Sequence, residues 1–289
     1  MKTILKPSLL LAVTLWAAGS GWAGTITVKG SDTLVILAQK WAEVYMGKNP
    51  TTKIQVSGGG SGVGFAALQN QSTDLANASR KIKSTEIAAC LKAFGKRPTE
   101  YKVALDGLSV YVQEENPVKQ LTLDQLENIF TGRTKNWKEV GGPDAPITVS
   151  SRENSSGTYE FFKEPVLKGK DFAASAQTMP GTAALLQAVS KDKGAIGYGG
   201  AAYGKGARAL LVKKDEASAA IEPTEENVMK GAQAAPGAYP IWRYLYVYVN
   251  PALDKGEIAA YLNWIRGDES QSLVKEVGYY PLPPNLREK

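Results

Sequence analysis

At 289 residues the chain has room for two domains or one large α/β unit. Hydrophobic residues at 43% and charged residues at 21% are ordinary for a folded protein and exclude a disordered chain, while a formal charge of +6 without clustered Lys/Arg suits an anionic ligand but not a nucleic-acid surface. With no histidine and one cysteine, Ser-His-Asp and Cys-His catalysis, His-based or multi-thiolate metal sites and an intrachain disulfide are all excluded.

Lys2 and Lys6 form a basic start, Leu9 to Ala18 an apolar run, and Gly21-Trp22-Ala23 places small residues at −3 and −1 of a cleavage point after Ala23. Residues 1–23 therefore read as a secretory signal peptide, too short for a membrane anchor, which needs about 20 apolar residues. Its removal takes two lysines and no acids, lowering the formal charge from +6 to +4.

The mature chain then alternates strands and helices. Strands are expected at Thr25–Lys29 and Lys53–Ser57, with an apolar stretch at Leu75–Ser79, and helices at Leu34–Met46, from Gly64 to Gln69 and at Ser84–Phe94, with Ser84 as N-cap. Cys90 in the last of these reads as a buried small hydrophobe. Tyr101–Gln113 is a long strand-like run. A second unit follows, with helices at Thr122–Thr131, Tyr159–Leu167 and Thr182–Ser190 and strands at Ile147–Ser151, Ala195–Tyr198 and Leu210–Val212; Glu222–Gln233 reads as helical or irregular. Ile241–Asn250 is a second long aromatic strand, and Lys255–Arg266 and Ser270–Val277 are closing helices. Tyr244, Tyr246 and Tyr248 alternate along one face of that strand and, like Trp137, Trp242 and Trp264, read as packing residues. The two long strands bracket the middle unit as if the chain crossed from one lobe to another and back. A two-lobed α/β protein carries its cleft at the carboxyl ends of its strands.

Three Gly/Ser-rich turns would lie at that cleft: Val28 to Thr33, Ser57 to Gly64, and Ser151 to Thr158. Each leads into a helix, where unpaired N–H groups attract anions, glycine admits close approach and hydroxyls add donors without charge. Arg152, four residues before Ser156, can form a bidentate pair with an oxyanion or a surface salt bridge with Glu153 or Glu160. Asp32 reads as a helix cap, and Arg80, in Arg-Lys-Ile-Lys, as either a clamp or part of a solvated face.

Six segments in this order resemble the periplasmic phosphate-binding proteins of phosphate-specific ABC transporters: Gly30 to Thr33, Ser57 to Gly62, Thr73 to Arg80, Arg152 to Thr158, Gly194 to Tyr198 and Pro223 to Asn227. The resemblance covers about residues 25–280. It implies an α/β, two-lobed type II periplasmic-binding-protein fold: mixed, mainly parallel sheets flanked by helices, with the ligand cleft between lobes. The expected division is residues 24–112 plus 243–289 for lobe I and 113–242 for lobe II. Carried over residue by residue, it implies ligand contacts at Thr33, the N–H of Leu34, Ser61, Arg152, Ser156, Gly157 and Thr158. Where many members carry Ala-Ser-Asp this chain has Ala78-Ser79-Arg80, so a carboxylate acceptor for a protonated oxyanion is replaced by a group that cannot accept. Either Arg80 is a second clamp, or it points away and Asp32 or another carboxylate accepts.

The implied function is a secreted, periplasmic solute-binding protein that captures inorganic phosphate and delivers it to an ABC-transporter permease in the inner membrane. It would act as a monomer, without cofactor, metal or nucleic acid. The alternatives are the same fold tuned to sulfate, molybdate or tungstate, an extracellular phosphate sensor or adhesin, and a phosphoester hydrolase using Ser156 or Thr158; the last lacks a histidine base and a metal cluster in the sequence.

Overall fold

The computed structural model describes residues 24–287, so the signal peptide expected over 1–23 lies outside the described residues. The chain runs β1 (Thr25–Gly30), α1 (Val35–Lys48), β2 (Lys53–Ser57), α2 (Ser61–Gln69), β3 (Leu75–Ala78), α3 (Ser84–Phe94) and β4 (Thr99–Gly107). It continues through β5 (Ser109–Val112), β6 (Gln120–Thr122), α4 (Leu123–Phe130), β7 (Thr148–Arg152), α5 (Gly157–Lys163), β8 (Gln177–Met179), α6 (Thr182–Lys191), β9 (Ala195–Gly199), β10 (Arg208–Ala209), β11 (Leu211–Lys213) and α7 (Glu225–Ala232). It closes with β12 (Trp242–Val249), α8 (Gly256–Ile265) and α9 (Asp268–Val277).

Two five-stranded sheets organise these elements, in the orders β2-β1-β3-β12-β4 and β10-β5-β9-β7-β8, with a small β11-β6 pair beside them. In the first sheet β1 pairs in parallel with β2 and β3, while β12 runs antiparallel to both β3 and β4. In the second, β7 is parallel to β8 and β9, and β5 is antiparallel to β9 and β10. The expected two-lobed α/β fold with mixed sheets and flanking helices is therefore what the chain forms. Strands β3, β5 and β9 are buried along their whole length, the mark of strands covered on both faces.

Each sheet carries its own core. The first packs Leu37 and Trp41 of α1 and Tyr261, Leu262 and Ile265 of α8 against Val103 and Leu245. The second packs Leu126, Phe130 and Phe162 against Val110, Ile196 and Tyr198, with Phe162 stacked on Tyr198 at a centroid distance of 4.2 Å. Cys90 is fully buried, as expected, and burial pushes its thiol up.

Several local expectations change. The run from Tyr101 to Gln113 is not one strand: it breaks at Leu108, and Ser109–Val112 pairs with β9 in the second sheet. Residues 103–107 before the break and 109–112 after it are all buried, so no change of hydrophobic period marks it. The cap of α3 is Lys83 rather than Ser84, because Glu86 already reaches back to the Lys83 N–H at 2.8 Å. Around Leu210 there are two short strands, β10 and β11, each serving a different sheet. Among the described residues no helix is long and apolar enough to cross a membrane.

Candidate functional site

The Gly/Ser turns meet where the two sheets face each other. Gly30 closes β1 at φ +139°, and a Cβ there would strike the carbonyl of Asn77, so only glycine lets β1 approach β3 this closely. The following turn carries Thr33 inward at 1% exposure. Gly60 precedes α2, whose first residue is the fully buried Ser61. From the other sheet, β7 ends at Arg152, and Ser156 caps α5 by accepting from the Tyr159 N–H at 3.3 Å.

These turns bring four hydroxyls into one chain. Thr33 Oγ1 lies 2.8 Å from Thr158 Oγ1, Thr158 Oγ1 lies 3.4 Å from Ser79 Oγ, and Ser79 Oγ lies 3.4 Å from Ser61 Oγ. Ser79 also donates its backbone N–H to Ser61 Oγ at 3.0 Å. Thr158 stands on α5, which follows β7 of the second sheet, and the other three on segments that follow β1, β2 and β3 of the first, so the cluster spans the two sheets. Gly157 makes the meeting possible: a Cβ there would collide with Ser61 Oγ and come within 2.7 Å of Ser79 Oγ.

A buried cation backs the cluster. Arg243, 3% exposed at the start of β12, donates from Nη2 to Thr158 Oγ1 at 3.1 Å and from Nη1 to the Ser79 carbonyl at 3.1 Å. Its Nε donates to Asp106 at 2.9 Å; Arg243 and Asp106 stand opposite each other in the β12–β4 ladder. With Thr158 accepting from a guanidinium, its own hydroxyl hydrogen is directed elsewhere, toward Thr33 or toward a ligand.

Arg152 is equally buried, but most of its donors are taken. It bonds Glu153 through Nε and Nη2, Asp32 through Nη2 at 2.8 Å and Thr182 through Nη1 at 2.9 Å. Four of its five N–H groups are thus engaged, leaving one rather than a bidentate fork. Burial opposes its charge, yet the carboxylates of Glu153 and Asp32 outweigh that and raise its pKa; burial also works against the Glu153 carboxylate, which Arg152 nevertheless holds below its usual value.

The other expected contacts fall as follows. Leu34 is buried, and its N–H donates to the Ser31 carbonyl at 3.1 Å within its own turn. Ser156 is 2% exposed and spends a lone pair on its cap, with its hydroxyl hydrogen left to donate. Arg80 turns to Glu86, donating from Nη1 at 2.8 Å and Nη2 at 2.7 Å, and lies 4.9 Å over the Phe65 ring. Asp32 accepts from the Gly59 N–H through one oxygen and from Arg152 through the other. Asp106 is likewise filled, by Ala201 N–H and Arg243. Among the described residues no group of His, Cys, Asp or Glu could hold a metal ion.

Thr33, Ser61, Gly157 and Thr158 are therefore brought together, Ser156 and Arg152 stand beside them, and Arg80 belongs to a different ion pair. Sequence reasoning did not single out Ser79, Asp106 or Arg243 as site residues. The signal that could have found the last two is Arg243 as the single charge of an otherwise apolar and aromatic strand and Asp106 after the apolar Val103–Leu105: buried opposite charges need each other.

Known proteins resemble this chain over most of its length. A family model described as the PBP superfamily domain matches residues 17–269. The phosphate-binding protein PstS of Pseudomonas aeruginosa is 34% identical over 295 residues, spanning 96% of this chain and 89% of that protein. PstS of Bacillus subtilis is 31% identical, spanning 90% of this chain and 81% of that protein. A solved substrate-binding protein of a phosphate ABC transporter from Clostridium perfringens, with phosphate bound, superposes with a TM-score of 0.80 at 28% identity, covering 90% of this chain and all of that one. A chain that matches over nearly its whole length, with its turns converging between two lobes, belongs to the PBP superfamily and within it to the PstS family of phosphate-binding proteins.

Proposed function

We propose that this chain captures inorganic phosphate between its lobes and hands it to the permease of an ABC transporter. The observation that carries this reading is the hydroxyl cluster of Thr33, Ser61, Ser79 and Thr158, assembled from both lobes against the buried Arg243. It offers fixed donors, no nucleophile with a base beside it, and hence binding without chemistry. Thr33, Ser61, Arg152, Ser156, Gly157 and Thr158 are the residues we assign to the ligand, joined by Ser79; Arg80, held by Glu86, we assign to the wall beside it. The N–H groups of Gly157 and Thr158, at the start of α5, have no carbonyl one turn earlier and complete the donor set.

Closure of lobe I (24–112 with 243–289) on lobe II (113–242) would bury the anion, and the permease would read the closed form; the pairing of Ser109–Val112 with β9 favours a crossing a few residues earlier, near Leu108. The expected signal peptide makes the working location the periplasm, and a self-contained two-lobed clamp needs no second copy. Because the carboxylates of Asp32 and Asp106 are both committed to arginines, a protonated oxygen of phosphate must donate to a hydroxyl oxygen. Calorimetric titration of the mature protein with phosphate, arsenate, sulfate and molybdate tests the reading. Phosphate and arsenate should compete for one site, while sulfate or molybdate binding more tightly than phosphate would assign the cleft to another oxyanion.

A further inference from the structure

A cavity of about 340 Å³ adjoins Arg243 but includes none of the four clustered hydroxyl residues among its walls. Its walls come from both lobes. Phe161 projects from α5 in the second, while Trp242, Tyr244 and Tyr246 come from β12 and Arg80 from the turn after β3. The lining is largely aromatic, with three cationic side chains, Arg80, Arg243 and Lys81, and no carboxylate. Lys102 adds a fourth cation nearby, its Nζ 4.4 Å over the Tyr244 ring. Arg80 is the telling residue: its side chain is 9% exposed, and although Glu86 takes its terminal nitrogens, its buried Nε has no hydrogen-bond partner.

We propose that this cavity is a second ligand site, for a small planar aromatic anion such as an aromatic carboxylate. The ring walls stack on a flat apolar body, and guanidinium planes extend that stacking. Arg80 and Arg243 are already paired with Glu86 and Asp106, so it is Lys81 in the lining and Lys102 beside it that favour a negative group over a neutral one. A bare inorganic oxyanion would leave the aromatic walls unfilled, which separates this site from the hydroxyl cluster. The volume lies at the small end of ordinary ligand pockets, which run from about 300 Å³ upward.

The site is coupled to the first. Phe161 rides on the helix whose first residues are Gly157 and Thr158, and the facing walls belong to the other lobe. A ligand that touches both sides favours the arrangement in which the lobes meet, so it tightens oxyanion binding at the hydroxyl cluster. The coupling rests on the phosphate reading above; occupancy of the cavity does not.

The test is calorimetry of the mature wild-type protein with benzoate up to about 10 mM, alone and in the presence of phosphate. Benzoate should bind on its own and raise phosphate affinity by about fivefold or more, the usual range of such couplings. Cyclohexanecarboxylate and benzyl alcohol, which lack the ring or the charge, should bind far more weakly. Phe161→Ala and the milder Tyr244→Leu should abolish the benzoate response while phosphate affinity alone stays within about twofold, their melting curves showing that they fold. No binding of benzoate to wild type, equal binding of cyclohexanecarboxylate, or full binding by both variants overturns the proposal. A wild-type protein that binds benzoate but not phosphate would overturn the functional reading and leave this site standing.

Discussion

Arg243 and Asp106 are a pair that the fold cannot leave half-made. Both are at most 3% exposed, and they face each other across β12 and β4 with Nη2 and Oδ2 2.8 Å apart. Removing one partner of a buried pair costs about 3–5 kcal/mol, because the other charge stays desolvated, whereas replacing both with neutral groups is often harmless. Arg243→Ala should therefore lower the melting temperature sharply and abolish phosphate binding together. The double variant Arg243→Gln with Asp106→Asn should regain most of the stability but not the affinity, since Thr158 and Ser79 lose their cationic support. Calorimetry and thermal melts of the two proteins separate the roles; full phosphate affinity in the double variant would show that the guanidinium serves the fold alone. Both charges are visible in the sequence. Strand register, which aligns them, depends on the antiparallel β12–β4 pairing with its irregularity between Leu245 and Tyr246, and residue spacing does not encode that. Arg80 teaches the converse: its place in a basic run says nothing of Glu86, six residues on, which captures it.

At the scale of elements, α5 must be held where its first turn meets Ser61 and Ser79, and its far end is anchored through α4. Glu127 of α4 is buried and receives Lys168 and Lys170 from the turn after α5, together with Arg133. The Ala173 N–H adds a bond to the Phe130 carbonyl at 2.8 Å, and Phe130 packs edge-on to Phe162 of α5 at 4.8 Å. Hydrogen bonds from Lys170 and then Lys168 outweigh burial and hold the Glu127 carboxyl down to about 2. A carboxyl near 4.3 when unfolded and near 2 when folded contributes stability that is complete above the unfolded value and is lost as pH falls through the folded one. Glu127→Gln should accordingly melt below wild type at neutral pH, and the gap should close as pH falls from about 4 toward 2. Melting curves across that range decide it, and a gap that stays constant would mean that the carboxylate charge is not the anchor. Helix α4 was legible from Thr122 and its apolar spacing, and the capping box with Gln125 is present. Apolar spacing predicts helix through Leu167, but the chain leaves the helix after Lys163, and Lys168 takes φ +53°, a conformation that apolar periodicity does not signal.

For the whole molecule, affinity depends on how the lobes meet, and several contacts join them. Arg152 pairs with Asp32, Thr33 with Thr158, Gly62 N–H with the Ser155 carbonyl at 2.9 Å, Tyr203 Oη with the Asp32 carbonyl at 2.7 Å, and Lys83 with Glu160 at 2.7 Å. The sequence pointed to two lobes through its two long strands, but not to these bridges, because each joins residues more than 70 positions apart. Around the cleft the charges of Arg80, Arg152 and Arg243 are met by Glu86, Asp32, Glu153 and Asp106, so the site holds an anion through oriented donors rather than through net charge. Asp32 is the bridge that can be cut most cleanly. Asparagine in its place still accepts from Gly59, and Arg152 keeps Glu153, so only the charge between lobes is lost. Apparent affinity falls with the fraction of molecules in the binding-competent state, so losing about 1 kcal/mol of latch weakens phosphate binding about fivefold. Small-angle scattering should find ligand-free Asp32→Asn more extended than ligand-free wild type, with the two indistinguishable at saturating phosphate. If the two proteins match without ligand as well, the Asp32–Arg152 pair does not hold the lobes, and closure must rest on the hydroxyl and backbone contacts alone.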